Sequence, residues 1–92
     1  MSRHAVHLIV RGKVQGVFYR AQTQETAEGL ALAGWARNCS DGTVEIHAEG
    51  EKSQLEKLVA WCHKGPPSAK VSGVDVEWVP ATGLSSFEIR YM

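Results

Sequence analysis

The stretch GKVQGVFYR, residues 12–20, lies between a strand-like segment and a helix-like segment. Gly12 and Gly16 allow the backbone to turn sharply. Backbone N–H groups at such a turn can converge on one anion, as can the free N–H groups of the first helical turn. Arg20 adds a planar fork of donors that matches a phosphate or a carboxylate. The sequence therefore predicts an anion-binding loop at the start of the first helix.

Alternating and helical patterns follow each other outward from this loop. Alternation predicts strands at residues 4–11, 35–38, 43–49, 74–78 and 87–91. Helical spacing predicts one helix over residues 20–33 and a second between Gly50 and the breaker 64–67. Gly34 is expected to cap the first helix, and Gly29 to be a close-packing point inside it. Asp41-Gly42 predicts a turn between the second and third strands.

The order of these elements is β-α-β-β-α-β with one extra C-terminal strand, which predicts an α/β (α+β) ferredoxin-like sandwich. Two helices should cover one face of a mainly antiparallel sheet, with the first and third strands as central neighbours. The chain has 92 residues, which favours a single domain over residues 1–92.

Composition excludes several classes of function. The formal net charge is zero, which argues against a general nucleic-acid or anionic-membrane binder. No apolar run approaches the ~20 residues that span a bilayer, and no signal peptide is evident. Cys39 and Cys62 form no CxxC pair, so we expect reduced thiols and a cytoplasmic protein.

Two side chains are candidates for chemistry. A cation at a helix N-terminus is unfavourable by a few tenths of a kcal/mol, so Arg20 at that position suggests a bound anion. Asn38 precedes the predicted turn and has two interpretations. It can cap the turn through its side chain, which spacing alone favours, or its amide can hold a water beside the anion.

The other polar residues are assigned to the surface. His7 and His47 are expected on the open sheet face with no third ligand, so no metal site is predicted. Glu45, His47 and Glu49 are expected to form a solvated strand face. An RNA-recognition module has the same order of elements, but the outward positions of the two central strands offer no aromatic platform for bases.

The segments VRGKVQGVFYR, residues 10–20, and GWARNCSDGTV, residues 34–44, followed by Gly50, resemble the two signatures of the acylphosphatases. They occur in the expected order, and the resemblance covers essentially the whole chain. Tyr19 stands where the family usually has phenylalanine, and we expect the extra hydroxyl to have little effect.

The resemblance implies hydrolysis of the carboxyl–phosphate bond of acyl phosphates. We expect no metal and no cofactor, because the sequence near the loop lacks clustered carboxylates or histidines. Arg20 would bind the phosphoryl group together with the backbone N–H groups of Gln15, Gly16, Val17, Phe18 and Tyr19. Asn38 would orient the attacking water. A carboxylate leaving group ionises near pH ~4 and needs no general acid, so fixed donors are the main requirement.

Further expectations accompany this assignment. Inorganic phosphate or sulfate should occupy the same loop as a product-like ligand, and the protein should be a monomer. An anion sensor that uses the loop without turnover stays as an alternative. The anion-binding loop would contact the phosphoryl group, which all acyl phosphates share, so the sequence does not indicate which acyl group the substrate carries.

Overall fold

Five strands and two helices make up the part of the chain that the computed structural model describes, residues 3–91. Residues 1, 2 and 92, which the single-domain prediction includes, lie outside the described residues. The elements are β1 (His4–Lys13), α1 (Tyr19–Gly29), β2 (Ala33–Asn38), β3 (Val44–Gly50), α2 (Lys52–Lys64), β4 (Lys70–Val79) and β5 (Phe87–Arg90). No helix among them is long and apolar enough to cross a membrane.

The strands form one sheet in the order β4-β1-β3-β2-β5. All neighbouring strands are antiparallel except β2 and β5, which are parallel. Helix α1 packs on β2 and β5, and α2 packs on β1, β3 and β4. The predicted ferredoxin-like α+β fold is confirmed, and so is the pairing of the first and third strands.

The core lies between the sheet and the two helices. Alternation turns one side of each central strand inward, and α2 contributes one apolar stripe. The apolar side chains of these three elements that are fully buried in this layer are Val6, Leu8, Val10, Val44, Ile46, Ala48, Leu55, Leu58 and Cys62. Each buried Val, Leu or Ile contributes roughly 1.5–3 kcal/mol relative to exposure, so this layer supplies the main force that fixes α2 on the sheet.

The predicted end of α1 is wrong. The helix ends at Gly29 rather than Ala33, and Gly34 lies in β2 instead of capping the helix. Ala31 adopts a left-handed conformation with φ 57°. The amide of Ala31 donates to the Glu28 carbonyl, and the amide of Leu32 donates to the Ala27 carbonyl, which is the Schellman arrangement. A side chain at Gly29 would meet nothing within 4 Å, so the close-packing prediction is also wrong.

Gly12 does not belong to the loop, because β1 continues to Lys13. The pairing of β1 with β4 shifts between Arg11 and Gly12, as in a β-bulge. A Cβ at Gly12 would lie 2.1 Å from the Lys70 carbonyl oxygen. The glycine therefore permits close approach of two strands, and the turn toward α1 begins after it.

The open face of the sheet carries a partly buried cluster of paired charges, so the prediction of a solvated strand face is wrong. His7 Nε2 lies 2.6 Å from Glu45 Oε2, and Arg37 Nε donates to Glu45 Oε1 at 2.6 Å. His47 Nε2 lies 2.6 Å from Glu49 Oε2. His7 and His47 face each other across β1 and β3. Both histidines therefore pair with a carboxylate instead of lying free in solvent.

Glu49 has no exposed surface and anchors the loop between β4 and β5. Its carboxylate accepts hydrogen bonds from the backbone amides of Thr82, Gly83 and Leu84 and from the Thr82 hydroxyl, at 2.7 to 3.0 Å. Burial alone would raise the pKa of Glu49, but the hydrogen bonds from His47 and this loop outweigh burial and hold the pKa well below its usual range.

Replacing Glu49 by glutamine should lower the free energy of unfolding at pH 7 by about 2–4 kcal/mol. The NH₂ group of glutamine would face N–H and O–H donors whose hydrogen bonds the carboxylate now accepts. The folded-state pKa is depressed, so this contribution is complete above the unfolded pKa of about 4.3 and is lost as pH falls toward the folded pKa. Urea unfolding between pH 7 and pH 3 measures both effects. Glu56→Gln, on an exposed helix face, is the control. Equal stability of the two variants at pH 7 would contradict the anchoring role.

Candidate active site

A pocket of about 330 Å³ lies where the loop after β1 meets the start of α1, the end of β2 and the C-terminal strand. The residues that line it are Val14, Gly16, Phe18, Tyr19, Arg20, Ala21, Asn38, Ile89 and Tyr91. The structure thus brings Arg20 and Asn38 to one pocket, although 17 positions separate them in sequence. Gln15 and Val17 are outside this lining.

Two left-handed residues shape the backbone of the loop before α1. Gly16 and Phe18 both have positive φ, at 71° and 62°. Left-handed residues in a turn direct successive N–H groups toward one concavity. The first hydrogen bond of α1 runs from the Gln22 amide to the Phe18 carbonyl, so the amides of residues 19–21 precede it. No side chain in the described part of the chain caps this end of the helix. These donors remain directed outward from the helix start.

Phe18 is a strained residue at this site. An aromatic side chain rarely occupies the left-handed region, and such a conformation costs about 1–3 kcal/mol. Phe18 is the N-cap of α1, with φ 62° and ψ 22°. Strain of this kind persists where the surrounding structure enforces it, and hydrogen bonds hold the loop residues just before Phe18.

Side chains fix the loop on both sides. The Gln15 amide nitrogen donates to the Cys39 and Thr43 carbonyls at 2.8 and 2.9 Å. The Ser68 hydroxyl donates to the Val17 carbonyl at 3.1 Å. Gln15 therefore joins the loop to the β2–β3 hairpin that carries Asn38. Sequence reasoning considered only the backbone of Gln15 and missed this side-chain contact.

The extra hydroxyl of Tyr19 has a structural partner that motif comparison did not reveal. It donates to the Cys62 carbonyl at 2.7 Å in the interior and so connects the start of α1 with α2. The Tyr19 ring lies 5.4 Å from the Trp61 ring. Burial raises the pKa of the Tyr19 phenol far above its usual value and that of the Cys62 thiol to about 12. Both groups are therefore protonated and serve packing rather than proton transfer.

Arg20 lies in the first turn of α1, as predicted, and the C-terminal strand orients it. Its Nη1 donates to the Arg90 carbonyl at 3.2 Å. Its guanidinium carbon lies 5.0 Å from the centre of the Tyr91 ring, within the range of a cation–π contact. These contacts hold the guanidinium at the pocket and engage only one of its five N–H donors in a hydrogen bond within the described residues.

Asn38 ends β2 opposite Val44, and its Oδ1 is buried without a hydrogen-bond partner among the described residues. A buried carbonyl without a partner costs about 1–3 kcal/mol, so its position calls for a functional reason. The turn is capped by another residue: Asp41 Oδ1 accepts from the Thr43 amide at 3.0 Å and from its hydroxyl at 2.7 Å. The geometry therefore favours the water-holding interpretation of Asn38.

The lining of the pocket carries one charged side chain, that of Arg20. Arg20 is the only ionisable side chain in its lining apart from two tyrosine phenols. Across residues 3–91, no three histidine, cysteine or acidic side chains are grouped as metal ligands. The arrangement can bind an anion through fixed donors and can orient a neutral nucleophile. It supplies neither a carboxylate nor an imidazole as a general base.

A larger cavity, of about 900 Å³, lies at the opposite end of the sheet, where α1 ends and β3 ends. Its charged residues are Arg3, Glu28 and Glu51, which are of mixed sign. The start of α2 reaches this cavity through Glu51 and Gln54, but Glu51 is itself acidic and no residue of the loop 15–20 lines the cavity. The smaller pocket is therefore the stronger candidate for an anion site.

Comparison with known proteins finds relatives along nearly the whole chain. The family model described as acylphosphatase matches residues 6–89. An acylphosphatase from Pelotomaculum thermopropionicum is 51% identical over 92 residues, which cover 99% of this chain and 100% of that protein. The solved acylphosphatase of Coxiella burnetii superposes with a TM-score of 0.92 at 42% identity, covering 96% of this chain and 93% of the other. The acylphosphatase of Bacillus subtilis gives 0.92 at 38% identity, covering 96% and 99%.

Proposed function

Because the chain belongs to the acylphosphatase family, it is a hydrolase that acts on small-molecule acyl phosphates, and we propose that the pocket of Arg20 and Asn38 is where it acts. The observation that supports this assignment most strongly is that residues of three kinds line one pocket. These are loop residues with left-handed backbone, Arg20, and Asn38.

In the binding step, the phosphoryl group enters the loop. The backbone N–H groups of Gln15 to Tyr19 and the Arg20 guanidinium donate to its oxygens. Charge-assisted hydrogen bonds of this kind are about twice as strong as neutral ones. The positive end of α1 adds a favourable field for an anion. The donors are fixed before the substrate arrives, because Gln15 and Ser68 hold the loop and Arg90 and Tyr91 hold Arg20.

In the chemical step, a water oxygen attacks phosphorus while the bond between phosphorus and the carboxyl oxygen breaks. The carboxylate leaves with the electron pair of that bond and needs no proton near neutral pH. Asn38 Oδ1 accepts a hydrogen bond from the water and directs its lone pair toward phosphorus. The pocket lining has no carboxylate or imidazole, so a phosphoryl oxygen takes the proton of the water.

We also propose that the chain works as a monomeric single domain over residues 1–92, in the cytoplasm, with inorganic phosphate or sulfate as a product-like ligand of the loop. The two cysteines of the described region are unpaired, which suits a reducing compartment. The loop donors suit any tetrahedral oxyanion.

The proposed chemistry predicts a strong preference for acyl phosphates over alkyl phosphate monoesters. An alkoxide leaving group needs a proton or a metal that this pocket does not supply. We expect kcat/KM for acetyl phosphate to exceed that for a simple alkyl phosphate by at least about 10²-fold, since general acid catalysis commonly contributes that much. The assay measures the disappearance of each compound with and without a chelator.

Two results of this experiment would contradict the mechanism. Comparable turnover of the alkyl phosphate would mean that a general acid is present. Loss of turnover in the chelator, with recovery on adding a divalent cation, would mean that a metal takes part. A protein that binds phosphate but leaves acetyl phosphate intact would be the anion sensor considered above.

A further inference from the structure

Two exposed aromatic rings stand at the mouth of the candidate active site. The large apolar side chains exposed among the described residues are Phe18, Val76, Trp78 and Tyr91. Phe18 and Tyr91 are each 79% exposed, and both line the pocket of Arg20 and Asn38. The chain therefore presents its two most exposed aromatic side chains where the substrate would enter. Exposed apolar surface of this kind commonly marks a binding site.

The backbone directs the Phe18 ring outward. Val17 and Tyr19, its neighbours in sequence, are 8% and 1% exposed. Phe18 itself has left-handed φ, which is costly for an aromatic residue. A strained conformation that exposes an apolar ring beside a binding loop points to a role for that ring in binding, since folding alone would favour its burial.

Tyr91 places a second ring next to the proposed phosphoryl donor. The Arg20 guanidinium lies 5.0 Å from the centre of this ring. The remainder of a substrate whose phosphoryl group contacts Arg20 would therefore extend over apolar surface. Ile89 and Val14 add aliphatic side chains to the same lining.

The charges of the pocket restrict the acyl group further. Arg20 is the only charged side chain in the lining, and the phosphoryl group engages it. No acidic side chain in the lining could receive an ammonium group, and no second cation could receive another carboxylate. A charged acyl group would find no partner of opposite charge in this lining, whereas an apolar acyl group gains contact with the rings.

We propose that Phe18 and Tyr91 form an acyl-binding rim that makes the enzyme selective for uncharged apolar acyl groups, aromatic ones above all. This inference rests on the proposed function, because it takes the phosphoryl group to be bound by the loop and Arg20. The rim adds specificity for the part of the substrate that the phosphoryl donors do not contact. A flat aromatic acyl group can stack on either ring, whereas an acetyl group is too small to cover them.

The test compares kcat/KM for benzoyl phosphate, acetyl phosphate and succinyl phosphate. We expect benzoyl phosphate to be the best substrate and succinyl phosphate, with its free carboxylate, to be the poorest. Phe18→Ala and Tyr91→Ala should each lower the benzoyl-to-acetyl ratio by about tenfold, the usual scale for lost apolar contact. The ratio isolates the acyl group, because any disturbance of the loop or of Arg20 affects both substrates through their common phosphoryl end.

Trp78→Ala is the matched control, because Trp78 is an exposed aromatic residue on β4 that does not line the pocket. In Trp78→Ala, the benzoyl-to-acetyl ratio of kcat/KM should stay within twofold of the ratio in the unmodified protein. Phe18→Leu serves as a second variant at position 18 and should give an intermediate ratio. Two results would contradict the proposed acyl-binding rim. The benzoyl-to-acetyl ratio could stay within twofold in the Phe18 and Tyr91 variants, or it could fall equally in Trp78→Ala.

Failure of the proposed function would look different. In that case inorganic phosphate would not compete with either acyl phosphate in the unmodified protein, whatever the ratio between the two substrates. Competitive inhibition by phosphate together with an unchanged ratio would overturn the rim alone and leave the phosphoryl site in place.

Discussion

Asn38→Ala is expected to lower kcat for acetyl phosphate by two or more orders of magnitude, while KM and inhibition by phosphate change less than about threefold. The proposed role of Asn38 is to hold the water rather than the substrate, so its loss affects the transition state and spares ground-state binding. Loss of a group that orients a reactant commonly costs about 10²-fold or more. Steady-state kinetics on the purified variant measures both constants.

The stability of this variant separates the two interpretations of Asn38. Its Oδ1 has no partner within residues 3–91, so the alanine variant should unfold at the same or a higher denaturant concentration. Asp41→Ala is the contrasting control, because Asp41 receives the hydrogen bonds of the turn. It should lose about 1 kcal/mol of stability and keep its kcat. An Asn38→Ala protein that is destabilised but turns over substrate at the normal rate would make Asn38 a turn residue.

Arg20→Gln is expected to raise KM and also to lower kcat. The guanidinium is proposed to contact the phosphoryl group in the ground state. Its hydrogen bonds to the phosphoryl oxygens should become stronger in the transition state, as negative charge develops on those oxygens. The combined loss in kcat/KM should correspond to at least about 2–3 kcal/mol, or roughly 30- to 150-fold. Arg20→Lys should not restore activity, because an ammonium group lacks the planar fork of donors.

The structure adds a geometric reason for the failure of lysine at position 20. One nitrogen of the guanidinium donates to the Arg90 carbonyl, and its plane lies near the Tyr91 ring. An ammonium group cannot keep these contacts and also present two parallel donors. Arg11→Gln removes the same charge from an exposed ion pair with Asp75 and should change kcat/KM less than about threefold. Equal losses in the Arg11 and Arg20 variants would indicate a general charge effect instead.

The features of the fold that depend on local pattern could be predicted from the sequence. Alternation in β1 and β3 identified the buried strand faces, because burial on one side of a sheet requires a period of two. The loop before Arg20 could be recognised because glycine and a helix start have known backbone preferences. Sequence also suggested Asn38, but that Asp41 caps the turn could be seen only from the positions of Asp41 and Thr43.

The features that depend on distant parts of the chain could not be predicted. Glu49 looks like a solvated residue of an alternating strand, and the amides that bury it come from residues 82–84. Ala31 ends α1 in a left-handed conformation that alanine seldom adopts, so no residue-type signal marked this helix end. The side chain of Gln15 acts through carbonyls of the β2–β3 hairpin, and backbone carbonyls leave no trace in a sequence.

The central claim is that the loop of residues 15–20 binds the phosphoryl group, and an amide chemical-shift titration with inorganic phosphate tests it most directly. We predict that the largest shifts occur at the backbone amides of residues 15–20 and at the Asn38 side chain. They should saturate with a Kd equal to the competitive inhibition constant, and Arg20→Gln should weaken them strongly. Shifts centred on the larger cavity, at Arg3 and Glu51, with the loop amides unmoved, would contradict the account.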